Sequence, residues 1–356
     1  MRSPEALRTV EPPCPFVAAG CGGCGWQHLA VPDQRARRSA AVVAALRRAG
    51  VADPVVDPGP VLATEGYRTT LRGVATGDGR FALRRHRSHD LVAVPGCLVA
   101  HPLVAEVLAK GRFPPGAEVT VRAGARTGQR MVVVDGVPEA AVAGVEVPAG
   151  VRVVAGTALE RGRRAWLFEE VAGVRLRVSA RSFFQSGPEA AEALVAAVGR
   201  ALAGVPDGAR LADLYGGVGL YGATLGRAAR VDLVEASGSA AADARVNLAG
   251  LDARVTQGDV ARWRVRRMDL VVADPPRAGL GRGGVRAVAA TRAGRLALVS
   301  CDAGALGRDT RLLAGAGYRW AGSALVDAFP HTAHVEVVSR FDRVGRPLAA
   351  APAATP

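Results

Sequence analysis

The chain has 356 residues, enough for two domains that each bury a core. Although 49% of the residues are hydrophobic, no uninterrupted apolar stretch could span a bilayer, and no charged segment followed by an apolar run opens the chain, so no membrane association and no secretion are expected. The net charge of +14 favours a polyanionic partner such as a nucleic acid, because neutralised phosphates release counterions. A soluble cytoplasmic monomer is the expectation. Lys110 is the only lysine, so part of the basic excess reflects a general preference for Arg.

Residues 1–12 are rich in proline and are expected to be flexible. Cys14 to Leu29 (CPFVAAGCGGCGWQHL) holds too many Gly and Cys for regular structure and reads as a loop that wraps a ligand. Gln34 to Ala49 predicts a helix with an apolar stripe and a strongly basic face. From Tyr67 to about Val94, short alternating segments parted by Gly-Asp-Gly and similar turns predict a small antiparallel sheet, with further strands to about Val178. At Pro188 the pattern changes: PEAAEALVAAVGRALAG reads as a helix with Pro at its start and Gly at its end. Strands and helices then alternate (RLADLYG, VDLVEAS, DARVTQGD, DLVVADPP, LALVSC), which argues an α/β fold with a doubly wound parallel sheet. A β-rich stretch follows to Arg343, and residues 346–356 form a low-complexity tail expected to be disordered.

LADLYGGVGLYGATL sets a strand, a glycine-rich turn and a helix in series, and Gly217, Gly219 and Gly222 satisfy G-x-G-x-x-G. Glu235 ends the next strand, where a carboxylate could accept bonds from ribose hydroxyls. Both NAD and S-adenosylmethionine sites use such a turn, so the motif points to the fold and leaves the cofactor open. Asp213 ahead of the glycines, similar to class I methyltransferases, and Asp274 in the rigid Asp-Pro-Pro turn of VVADPPRAGL favour S-adenosylmethionine. Asp274 falls at the strand edge where open parallel sheets hold their ligands. Cys301 ends the strand LALVSC and opens a helix, whose N-terminus is expected to favour the thiolate. Taken alone it would be an inert core thiol. Glu336 lies in the apolar strand VEVVSRF, either on a solvated face or as a buried base with raised pKa. Cys14, Cys21 and Cys24 form C-x6-C-x2-C, and Cys97 stands apart. Four thiolates can hold zinc or an iron–sulfur cluster, and spacing alone favours zinc as the commoner structural ion.

The blocks FFQ, DLYxGVG, DPPRAGL, SCDxxxLxRD and DxFPxTxHVE, in that order across residues 183–338, resemble the TrmA/RlmC/RlmD family of RNA 5-methyluridine methyltransferases. The resemblance implies a class I, Rossmann-like methyltransferase domain over 179–345. It would follow a cysteine-cluster loop, basic helix and small antiparallel β-rich RNA-recognition domain over 13–178. It implies that Cys301 is the nucleophile adding to uracil C6 and Glu336 the base that removes the C5 proton. Gln185, Tyr215, Gly217, Gly219, Glu235 and Asp274 would contact S-adenosylmethionine, and the target base would be flipped out of its stack. CPxxxxxCGGCxxQHL with a distant fourth cysteine resembles the family's [4Fe–4S] loop, which turns the metal expectation for Cys14, Cys21, Cys24 and Cys97 from zinc to a structural cluster. The family's N-terminal β-barrel domain has no room here, which points to the branch acting on 23S rRNA, with tRNA the other RNA in view.

Three positions depart from the family pattern: Asp302 in place of Asn after the nucleophile, Gly187 in place of Asn after FxQ, and Leu220 in place of a polar residue after the glycines. A second acidic group at Asp302 is expected to raise the Cys301 pKa and slow attack. Two other readings stay in view. An NAD-dependent oxidoreductase would satisfy the glycine motif but leaves Cys301, Glu336 and the cysteine loop without a task. A non-catalytic RNA-binding iron–sulfur or zinc protein on a degenerate methyltransferase scaffold would accommodate the departures.

Overall fold

A computed structural model of the protein describes residues 8–345. The tail expected over 346–356 lies outside those residues, as do the first seven residues of the segment expected to be flexible. Of that segment, the Val10 amide donates to the His28 carbonyl, and the Arg8 carbonyl accepts from the Ala30 amide.

Helix α1 (Val31–Arg48) has Pro in its first turn, where a fixed φ suits the helix, and two arginines in its last, where they complement the dipole. It begins three residues before the expected Gln34. A two-residue strand β1 (Val56–Asp57) follows. The small sheet comprises β2 (Thr70–Ala75), β3 (Phe81–Arg84), β4 (Leu91–Ala93), β5 (Glu118–Ala123), β6 (Arg130–Asp135) and β7 (Val151–Ala155), ordered β4-β3-β2-β5-β6-β7. Helix α2 (Pro102–Lys110) covers it, burying Val104, Val107 and Leu108. The sheet is antiparallel as expected except at one pair. A crossover carrying the short α3 (Glu139–Val142) returns β7 parallel to β6. Helix α4 (Gly156–Glu160) leads into the hairpin β8 (Trp166–Val171) and β9 (Val174–Ser179).

Helix α5 (Pro188–Leu202) buries Ala191, Leu194, Val195, Val198 and Leu202, a stripe at the spacing of one helix face. Strands β10 (Arg210–Leu214), β11 (Arg230–Glu235), β12 (Ala253–Gln257), β13 (Leu270–Ala273) and β14 (Arg295–Ser300) then alternate with α6 (Leu220–Leu225), α7 (Gly238–Asn247), α8 (Gly281–Thr291) and α9 (Ala303–Gly315). Strands β15 (Tyr318–Leu325) and β16 (Val337–Arg343) close the chain. The sheet order is β1-β15-β16-β14-β13-β10-β11-β12, with β16 antiparallel to both neighbours.

Alternate residues of the central strands enter two separate cores, as the strand period of two requires. Val272, Ala297 and Val299 face α5 and α6, while Val271, Ala273, Leu296 and Leu298 face α1, α8 and α9. Helix α1, which the sequence groups with the small sheet, thus buries Val42 and Leu46 against the large one, and β1 pairs parallel with β15 beside it. Strand β10 has β13 on one side and β11 on the other, so the chain reverses its winding there. The switch opens a crevice at the carboxyl ends of these strands, which carry the glycine turn and the Asp-Pro-Pro turn.

Candidate active site

The register of the β14/β16 ladder brings the proposed chemistry together. Ser300 pairs with Val337, so the residues one step beyond, Cys301 and Glu336, stand opposite each other at the end of the ladder. Residues so opposed in an antiparallel pair have Cα atoms about 4.5–5.5 Å apart. Glu336 precedes β16 instead of lying in it as expected, and its side chain is buried all the same. Burial, reinforced by Asp274, pushes its carboxyl well above the usual range.

Asp274 follows the last residue of β13, and its amide donates to the Leu214 carbonyl at 3.2 Å, fastening the two turns together. Tyr221 Oη and Gln185 Nε2 both donate to Asp274 Oδ2, at 3.2 and 3.4 Å. Burial lifts the carboxyl to about 6 against the pull of those two bonds. The Cys301 thiol is also pushed up, by burial first and then by Glu336 and Asp274, with Arg277 acting the other way. The expectation of an acidic thiol at a helix start is therefore not met, because burial and two carboxylates outweigh the dipole. Asp302 is not the cause. Its Oδ1 accepts from the Ala305 amide at 2.7 Å as the N-cap of α9, and the carboxylates acting on the thiol are those of Glu336 and Asp274.

In the glycine turn, Tyr215 (φ 58°), Gly217 (φ 56°) and Gly219 (φ 87°) all adopt left-handed backbone, at a steric cost for Tyr215 only. Open space lies around the Cα of Gly217, whose amide donates to Glu235 Oε2 at 2.9 Å, while Glu235 Oε1 takes the Ser237 amide at 2.7 Å. Gly222 is a packing glycine: a Cβ there would press on Leu248 and Val231, and its amide donates to Asp213 Oδ2 at 2.9 Å. Asp213 is fully buried, with Oδ1 unpartnered, and burial lifts its carboxyl to about 8, with Asp274 and Glu235 adding to the rise. Three acidic groups thus surround one crevice.

No family model matches the chain. An uncharacterised RNA methyltransferase of Streptomyces coelicolor is 36% identical over 369 residues, covering 95% of this chain and 80% of that protein. Another, of Thermosynechococcus vestitus, is 31% identical over 386 residues, covering 93% and 84%. The chain belongs to the RNA methyltransferase family. Among solved structures, a tRNA (uracil-54, C5)-methyltransferase of Pyrococcus abyssi bound to S-adenosyl-L-homocysteine matches with a TM-score of 0.70 at 23% identity, over 90% of this chain and 86% of that one. That likeness concerns the fold, which is Rossmann-like with a methyltransferase sheet.

In this methyltransferase, Cys14, Cys21, Cys24 and Cys97 line one small cavity with apolar neighbours such as Phe16 and Leu83, and none is in a disulfide. Burial first, and then the neighbouring sulfurs, push up the Cys21 and Cys24 thiols, and that of Cys97 to about 11. Among the described residues, no three His, Cys, Asp or Glu side chains converge tightly enough to hold an ion as they stand. The cysteine loop also grips the segment ahead of Glu336. The Trp26 amide donates to the His331 carbonyl at 2.9 Å, and Gln34 Oε1 accepts from the His331 amide at 2.8 Å. Arg38 Nη1 reaches the Thr332 carbonyl at 2.8 Å, and Nη2 pairs with buried Asp327 at 2.5 Å. Arg35 joins the same carboxylate at 3.3 Å. Part of the basic face expected of α1 is thus turned inward.

Tyr221 was not singled out by sequence reasoning, although it follows the glycine turn directly. Arg277 and His334, whose Nη2 and Nδ1 lie 3.2 Å apart, were inside quoted blocks without a role. Phe183, 70% exposed two residues before Gln185, carries the one signal the sequence offered for it, an aromatic pair ahead of a glutamine.

Proposed function

We propose that the methyltransferase transfers a methyl group from S-adenosylmethionine to C5 of a uridine in RNA, with Cys301 as nucleophile and Glu336 as base. The observation that carries this reading is the ladder register that opposes Cys301 to Glu336, with Asp274 at the end of the next strand. An inert core thiol has no reason to face two buried carboxyls that raise its own pKa.

The crevice residues fit S-adenosylmethionine better than a dinucleotide. Glu235 and Asp274, when ionised, would repel a pyrophosphate but attract a sulfonium and an ammonium group. Gly217 leaves room for close approach, and Glu235 suits ribose hydroxyls. Gln185, Tyr215 and Gly219 complete the cofactor contacts in this reading. When bound, S-adenosylmethionine supplies a methyl group on a positively charged sulfur.

Uracil C5 is a weak nucleophile, and Cys301 corrects this. As thiolate it adds to C6, and the displaced electron pair makes an enolate whose C5 attacks the methyl carbon. Glu336 then takes the C5 proton; the electrons of that C–H bond rebuild C5=C6 as the Cys301 sulfur leaves. A carboxyl whose proton affinity is raised by burial is the better base for this step once ionised. Arg277 lowers the thiol pKa and so favours the attacking form. Exposed Phe183 would meet a base flipped into the crevice.

The cavity lined by Cys14, Cys21, Cys24 and Cys97 is proposed to hold a [4Fe–4S] cluster, with zinc as the other candidate. Four unpaired thiols from two parts of the chain around one cavity support it, and the sulfurs would have to draw inward to bind. Methyl transfer needs no electrons, so the cluster's task is structural.

The RNA is proposed to be 23S rRNA, on the resemblance of the cysteine loop to that of the family's iron–sulfur branch. Transfer RNA is the second reading, because one solved structure of the same fold is a tRNA methyltransferase. Labelled S-adenosylmethionine incubated with unmodified ribosomal or transfer RNA tests both. Wild type is expected to label one RNA, and Cys301→Ala neither. Equal incorporation by the variant would remove Cys301 from the reaction, and no incorporation by wild type would favour the binding-protein reading.

A further inference from the structure

Away from the crevice, hairpin β8–β9 and the first turn of α7 enclose a cavity of about 340 Å³. Ligand pockets usually fall in the range of roughly 300–1,000 Å³. Arg163, Arg164, Arg177 and Arg181 line it together with Trp166 and Ser239, and no Asp or Glu does.

Two of these guanidinium groups are fixed from behind. Arg177 Nε donates to Asp243 Oδ1 and its Nη2 to the Ala242 carbonyl, both at 2.7 Å. Arg181 makes a two-point pair with Asp135 at 2.5 and 2.9 Å. The other two, Arg163 and Arg164, are exposed, and among the described residues neither guanidinium has a partner. Arg177 lies over the Trp166 ring, 5.3 Å from its centroid, and so orients an indole that keeps 36% of its surface in solvent.

An oriented aromatic ring beside free guanidinium groups matches what single-stranded nucleic acid presents, a π-face and a phosphate at each step. The N-terminus of α7 adds partial positive charge to the same wall. Ser239 Oγ lies 3.0 Å from Ser182 Oγ, three residues before Gln185 of the proposed cofactor site.

We infer that this cavity is an RNA-docking subsite, in which Trp166 stacks a base of the single-stranded segment flanking the target uridine and Arg163 and Arg164 take its phosphates. The inference rests on the reading of RNA as substrate.

The test is anisotropy of a fluorescein-labelled single-stranded oligoribonucleotide on the full-length protein across a potassium chloride titration. For Arg163→Gln/Arg164→Gln, the slope of log affinity against log salt should shrink by about 1.4, from about 0.7 per phosphate. Trp166→Ala should weaken binding about tenfold with the slope unchanged, and Trp166→Phe should keep most of the affinity. S-adenosylmethionine binding by each variant, expected to equal wild type, reports that it has folded. An unchanged slope in the double variant, with wild type binding RNA, would overturn the inference alone. Displacement of the RNA by inorganic phosphate as readily as by unlabelled RNA would reduce the cavity to an anion site and also overturn it. Wild type that binds no RNA would overturn the substrate reading and the inference with it.

Discussion

Replacing Glu336 with Gln keeps the shape of the buried side chain and removes the charge that stands opposite Cys301 at the end of the β14/β16 ladder. Two unit charges about 5 Å apart at an effective dielectric of about 20 repel by about 3 kcal/mol. Cys301 is partly exposed, so solvent screening leaves only a fraction of that repulsion. The sign follows from the charges: an ionised Glu336 disfavours the thiolate and raises the thiol pKa, so its removal lowers it. The assay is the rate of iodoacetamide alkylation of Cys301 against pH, followed by peptide mass spectrometry so that Cys14, Cys21, Cys24 and Cys97 are scored separately. The Glu336→Gln midpoint should fall, while methylation is lost because no base remains for the C5 proton. With RNA and cofactor present, the covalent Cys301–RNA adduct should accumulate on a denaturing gel. A midpoint that stays put or rises would refute the electrostatic account, and the absence of an adduct would count against Glu336 as base.

Asp302→Ala should cost about 1 kcal/mol in urea denaturation through the lost helix cap, yet leave the Cys301 alkylation midpoint where it is. A fall as large as that of Glu336→Gln would restore Asp302 as the group that restrains the thiol. Arg38→Ala should destabilise the fold by about 3 kcal/mol, the low end for a broken buried ion pair, because Arg35 still reaches Asp327. A loss below about 1 kcal/mol in the same denaturation assay would mean the pair contributes little. Protein purified without oxygen should be brown, with a broad visible absorption that Cys97→Ser abolishes. A colourless protein carrying stoichiometric zinc would overturn the cluster.

The alternation of strands and helices after Pro188 was legible because central parallel strands are buried on both faces and read as continuous apolar runs. The pairing of Cys301 with Glu336 was not legible from periodicity. It depends on an antiparallel strand inserted beside β14, and register between distant strands leaves no local mark. The same limit explains the wrong sign for the thiol. A helix N-terminus can be read from a few residues, whereas the carboxyls that outweigh it arrive from β13 and from the loop ahead of β16. Helix α1 was legible as amphipathic, but which core it joins depends on β1 pairing with β15 at the far end of the chain. The parallel β7 escaped for a related reason, since strand direction follows from the crossover and not from alternation.

Two of the three departures from the family pattern, Gly187 and Leu220, have a local physical cause, and Asp302 has none. Gly187 is extended, and a Cβ at that position would stand 2.4 Å from the Tyr67 carbonyl oxygen, so an Asn would push the Tyr67 backbone away. The Tyr67 hydroxyl in turn donates to the Pro330 carbonyl at 3.4 Å, in the segment that leads to Glu336. Leu220 is buried in the core under α5, where a polar side chain would lack partners. Asp302 caps α9 with one carboxylate oxygen, a bond that Asn would supply as well. Gly187 and Leu220 thus follow the packing of this chain, while Asp302 is held as the cap of α9.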